Sequence, residues 1–172
     1  MTSIIIIAII AAVLIWAILV YNSLVYDRST SFAAWSDIDV QLKRRHDLIP
    51  KLVDAVTQYA KYESSLLQSV TELRSQAKSI EKISERENVE RELQSQVHKL
   101  IAVAEDYPEL KASQNFLALQ KDISNVENDI QYARRYYNGA VRNINTRIDS
   151  FPDLIIAKIF NYTYHEYFQL NG

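Results

Sequence analysis

Apolar residues follow two regimes along the chain. Residues 4–20 read "IIIIAIIAAVLIWAILV", 17 positions without a charge. Beyond them, apolar residues return at steps of three and four, with polar residues between. The unbroken run, extended by Tyr21, crosses most of a hydrocarbon core about 30 Å thick at about 1.5 Å per residue. The stepped spacing is that of one helix face. In residues 30–47 the stripe is Trp35, Ile38 and Leu42, with Ile49 beyond. Pro50 then interrupts, and Asp47 is expected to cap a second helix over residues 48–80. Its inward set is Leu52, Val56, Tyr59, Leu66, Val70, Leu73 and Ala77. "SERE", residues 84–87, has the form of a capping box and opens a third helix with Val89, Leu93, Val97, Leu100 and Ala104 inward. After a break at "DYPE", residues 106–109, the fourth stripe is the longest. It runs through Phe116, Leu119, Ile123, Val126, Ile130, Ala133, Tyr137, Val141, Ile144, Ile148 and Phe151. Its alternation slips once, between Tyr137 and Val141, as a coiled-coil stutter does.

These elements predict an all-α protein, an N-terminal transmembrane helix followed by an antiparallel bundle of about four long helices. The organisation is an anchor over residues 1–22, a bundle over 23–150 and an aromatic C-terminal tail over 151–172. Two Gly and three Pro in 172 residues leave little material for a turn-rich β fold. The leader "MTS" has no Lys or Arg and no A-x-A site follows the apolar run, so a retained anchor is expected rather than a cleaved signal. Arg28, Lys43, Arg44 and Arg45 follow the anchor, and no side-chain charge precedes it. The positive-inside rule then puts the N-terminus outside and the bundle in the cytoplasm. Short connections favour antiparallel neighbours, so the fourth helix returns to the membrane. Trp16 and Tyr21 of the anchor, and Tyr164, Tyr167 and Phe168 of the tail, are expected at the membrane interface. The other reading of the tail is that its rings cap the end of the bundle.

Charge and composition narrow the function. A formal net charge of −2 offers no basic surplus for nucleic acid. The absence of Cys excludes disulfides, thiol catalysis and thiolate metal sites. A run of charge is threaded through apolar residues in "AWSDIDVQLKRRHDLIPKLV", residues 34–53. Most of it falls on a solvated face, where Asp37, Arg44 and Arg45 are the candidate partner-facing charges. Asp39 and His46 fall inside the apolar stripe. On the fourth helix, Arg134 also falls on the stripe, with Asn138 and Asn145 along its edge. Asp39 and Arg134 both lie about 25 Å from the membrane end, so a buried pair is expected between them. His46 and the two asparagines complete a polar seam that sets helix register. No second carboxylate stands ready for acid–base work with Asp39, and His46, His98 and His165 are too far apart to imply a metal site. "HEYFQ", residues 165–169, begins like a zincin motif but has Gln where the second His belongs. No catalytic residue, cofactor or metal is expected.

Four blocks carry a resemblance. "YNSLV" (residues 21–25), the 34–53 block, "YPELKASQNFLALQKDI" (107–123) and "RRYYNGAVRNINTRIDSFP" (134–152) together resemble the LemA family of bacteria. The resemblance implies one N-terminal transmembrane helix, a short external N-terminus and a cytoplasmic antiparallel bundle. No reaction is established for the family. Its members are often linked with a membrane heat-shock metalloprotease, which implies a role in envelope quality control. Many members carry a longer tail than "YFQLNG". The expected function is an interaction scaffold or adaptor at the cytoplasmic membrane. Its partners would be the bilayer and another membrane protein, with self-association open. The alternative is a lipid-binding or membrane-shaping protein that uses anchor and aromatic tail together.

Overall fold

The computed structural model describes residues 1–60, 62–80 and 82–169; the end of the expected tail, residues 170–172, lies outside them. Among the described residues the chain forms six helices and no strand. They are α1 (Thr2–Thr57), α2 (Ser64–Ser79), α3 (Ile83–Ala104), α4 (Pro108–Lys111), α5 (Gln114–Asp149) and α6 (Asp153–Ile159). α1 is one unbroken rod of 56 residues, about 84 Å long. Its start is long and apolar enough to cross a membrane. Residues 1–15 are exposed on every side, and burial against the rest of the chain begins around Trp16 and Val20.

The expected break at Pro50 does not occur, because the helix finds a substitute donor. Proline has no N–H, so the carbonyl of His46, one turn earlier, loses its intrahelical partner. Arg74 of α2 donates Nε–H to that oxygen at 2.6 Å. The lost bond is thereby replaced by a charge-assisted one that also ties α2 to α1. Arg74→Ala is therefore expected to destabilise the bundle by about 1–3 kcal/mol in denaturant titration. Arg74→Ala in a Pro50→Ala background should cost markedly less.

α1 and α5 lie antiparallel along most of the bundle. The ion pairs Asp27–Arg147 (2.8 Å), Arg44–Asp129 (3.1 Å) and Arg45–Glu127 (3.0 Å) mark their register. α2 and α3 are shorter, 16 and 22 residues against 36 for α5. They therefore cover only the part of the α1/α5 pair remote from the apolar start of α1. Three apolar clusters follow from this. The distal one takes residues from all the long helices, including Leu52, Val70, Leu93, Leu100 and Ile123. The middle one joins α1 and α5 through Ile38, Leu42, Ile130 and Val141, and it includes Phe168 of the tail. The proximal one packs Val20 and Leu24 on Ile144, Ile148 and Ile156.

Details of the stripes differ from expectation. Leu67 rather than Leu66 is buried, and Ala60 rather than Tyr59, because α2 starts afresh at Ser64 instead of continuing from Pro50. Phe151 lies past the end of α5 and is 82% exposed. The capping box at residues 84–87 does not form, since α3 already begins at Ile83 with Lys82 as its cap. The side-chain cap is found instead on α5, where Ser113 accepts from Phe116 N–H.

After α5 the chain turns through α6 and then reverses. Asn161 takes a left-handed φ of 54°, with Tyr162 N–H donating to Ala157 O at 2.9 Å and Asn161 N–H to Lys158 O at 3.2 Å. This is the double bond of a Schellman ending with asparagine in the glycine position. It sends residues 162–169 back along the bundle, away from the apolar end.

Candidate functional site

Two polar constellations sit on this frame. The first is a buried charge cluster where α1, α3 and α5 meet. Arg45 is fully buried. Its Nη2 donates to Glu90 Oε2 in a short contact and to Glu90 O at 3.3 Å, while Nη1 reaches Glu127 Oε1 at 3.0 Å. His46 Nε2 lies 3.0 Å from Glu90 Oε1, and it must donate, since an ionised carboxylate only accepts. Arg86 adds an outer contact to Glu90 at 3.5 Å and pairs with Asp39 at 2.8 Å. Burial pushes the Glu90 carboxyl up. The His46 hydrogen bond and the Arg45 charge together outweigh that effect and hold it below the usual carboxylate range. An enclosed carboxylate held ionised at neutral pH is a poor proton acceptor. The cluster joins three helices and offers no surface for a reaction.

The second constellation holds the tail. Asn138 donates Nδ2–H to Phe168 O at 2.8 Å and accepts Phe168 N–H at 2.9 Å. Asn145 does the same with His165, at 3.0 and 2.9 Å. Each asparagine amide thus pairs with the N–H and C=O of one residue, as a residue of a neighbouring antiparallel strand would. The spacing follows from geometry. Seven residues of α5 return the side chain to nearly the same face and advance about 10.5 Å. Three tail residues span that distance only when almost fully extended. Tyr137 OH donates to Glu166 O at 2.7 Å between the clamps, and Glu87 of α3 accepts Gln169 N–H at 3.1 Å. Burial, and then the Glu166 charge, push the Tyr137 phenol up to about 12. Side chains add selectivity. Phe168 is fully buried with its ring edge-on to Trp35 at 5.3 Å. His165 packs on Phe32 and reaches Ser31 Oγ at 2.8 Å. The Ser31 hydroxyl spends its proton on Arg28 O, so His165 Nδ1 is the donor.

The docked His165 is held below the usual imidazole value, by burial first and then by the Arg28 charge. A released tail carries an ordinary imidazole and binds a proton more readily. Docking is therefore at full strength above the ordinary value, near pH 6.5, and weakens as pH falls below it. Amide exchange at His165 and Phe168, corrected for intrinsic rates, should speed up relative to the α5 core between about pH 7 and pH 5.5.

Several sequence expectations are relocated by these contacts. His46 is buried in the seam, but its partner is Glu90. The Asp39–Arg134 pair is replaced. The α1/α5 register does bring the two to one level, but Asp39 is turned toward α3, half-exposed and bound to Arg86, while Arg134 hydrogen-bonds Gln131. Asn138 and Asn145 clamp the tail rather than line an interhelical seam. Of the three candidate partner-facing charges, Asp37 and Arg44 are exposed, whereas Arg45 belongs to the core. Phe168 is no interfacial ring, because the tail climbs away from the apolar end. Tyr164 and Tyr167 rise with it and remain exposed, Tyr164 donating to Asp149 in a short contact. Trp16 packs on the proximal cluster and Tyr21 meets Phe160 with ring centroids 4.6 Å apart. Exposed apolar residues in and around α6 include Phe151, Ile155, Ile159 and Phe160.

Glu90, Glu127 and Arg74 were not singled out by sequence. A signal existed for Glu90: continued backwards in steps of three and four, the stripe Leu100, Val97, Leu93 lands on it rather than on Val89.

Fold and sites together define an all-α bundle carried on a single helix that is long and apolar enough to cross a membrane. The sequence model of the LemA family matches residues 34–172, and the chain belongs to that family. A curated relative, Protein LemA of Metamycoplasma hominis, is 31% identical over 129 residues. The match covers 73% of this chain and 58% of the relative, so the chain spans less than two thirds of that protein's length.

Proposed function

We propose that the protein is a membrane-tethered interaction scaffold with no reaction of its own, its bundle presented on the cytoplasmic side. The continuity of α1 carries this reading. One helix without a hinge runs from an all-round exposed apolar end into the heart of the bundle, so an inserted anchor fixes the bundle's height and tilt. A tethered, upright body meets membrane partners at a raised local concentration, and modest contacts then suffice. The face that would meet them carries Asp37 and Arg44. The bases after the anchor favour the cytoplasmic orientation. The partner that family associations favour is a membrane-embedded metalloprotease, in envelope quality control. A second reading, contact with the lipid surface, is favoured by the exposed residues of α6 rather than by the tail rings.

The test is mild-detergent capture of the full chain from its native membrane, beside an Asp37→Arg/Arg44→Glu variant. The Arg44–Asp129 bridge is half-exposed, and losing such a pair costs little stability. The expected result is a membrane protease retained by the wild type and lost from the variant. Identical captures from both would contradict the charged-face scaffold.

A further inference from the structure

The tail contact has features that ordinary helix packing does not need. The two asparagines bind main chain, with a bidentate pair at His165 and another at Phe168. Main-chain pairing recognises an extended polypeptide of any sequence, and selectivity is left to pockets for particular side chains. Such pockets are present: Trp35 and Tyr137 receive Phe168, and Ser31 and Phe32 receive His165. The occupant is joined to the bundle by the Schellman turn at Asn161. We propose that the groove between α1 and α5 is a peptide-recognition site, and that it is filled in trans by residues 165–169 of a second copy when copies meet.

Three observations favour that occupant. The groove already fits this segment, and a neighbour's tail makes the same contacts, so exchange alters only the path and contacts of the linker, residues 160–164, whose bonds are those of the Asn161 turn and of Tyr164 with Asp149. Residues 160–164 span up to about 17 Å extended, and packed helices lie about 8–10 Å apart. Finally, the unbroken α1 holds every inserted copy's groove and tail at one height above the bilayer. This last argument rests on the membrane-tethered reading above.

The chain has no native Cys, which permits a clean test. Glu87 and Gln169 adjoin when the tail is docked. Full-length Glu87→Cys and Gln169→Cys chains are reconstituted together in lipid vesicles and treated with a short bifunctional thiol reagent. The expected product is a mixed covalent dimer. Adding Phe168→Ala to the Gln169→Cys chain should cut it by about a hundredfold or more. A single chain carrying both cysteines reports docking in cis. If that chain links internally to completion while the mixed pair gives no dimer, the tail stays at home and the exchange is wrong. Vesicle flotation separates the two claims: a chain that floats without forming the dimer overturns exchange alone. A chain that does not float overturns the tethered reading and the exchange with it.

Discussion

Glu90→Ala is expected to lower the stability of the bundle by about 3–5 kcal/mol, measured by denaturant unfolding of the full chain in detergent micelles. The substitution leaves the Arg45 guanidinium fully buried with only Glu127 as a carboxylate partner, and His46 with no acceptor among its described contacts. Most of the loss is the cost of an uncompensated buried charge rather than the net worth of the pair. Hence replacing the cluster together, Arg45→Met with Glu90→Leu and Glu127→Leu, should recover most of it, because neither the arginine nor its two carboxylate partners is then left as an unpaired buried charge. Acid should act in the same direction as the alanine. Glu90 is held below the ordinary carboxylate value, so its contribution is complete above that value. It is lost as pH falls through the depressed one. Glu90→Ala should flatten that part of the pH–stability curve.

Phe168→Ala carries the second large effect, and it is local. Truncating a fully buried phenylalanine costs about 3–5 kcal/mol. The loss falls on tail docking, because residues 162–169 can leave while the helices stay paired. Amide exchange at His165 and Phe168 should accelerate by about a hundredfold or more, with α5 protection and the melting of α2 and α3 little changed. Asn145→Ala should release the His165 end alone.

How far the sequence revealed this arrangement depended on where the compensating group lay. The long stripe of α5 was legible because each buried position recurs within a turn or two, from Phe116 to Ile148. Pro50 misled because its remedy, Arg74, is 28 residues away, and local pattern holds no trace of it. One error produced the next. With α1 unbroken, Ile38, Leu42, Arg45, Ile49, Leu52 and Val56 form one alternation of threes and fours, which puts Arg45 in the core. With the helix cut before Pro50, the same arginine falls on a flank. The place of Asn138 and Asn145 along the edge of the stripe was visible, but their partner was not. They bind main chain, and main chain has no sequence signature.

The most direct test of the account is the thiol accessibility of single cysteines placed along α1 of the otherwise Cys-free chain in native cells. With a membrane-impermeant reagent, Thr2→Cys should react from outside. Ile10→Cys should react from neither side. Val40→Cys, on an exposed face of the bundle, should react only after the cytoplasm is opened. Free labelling of Ile10→Cys, or of Val40→Cys in intact cells, would contradict a spanning α1 that holds the bundle on the cytoplasmic side.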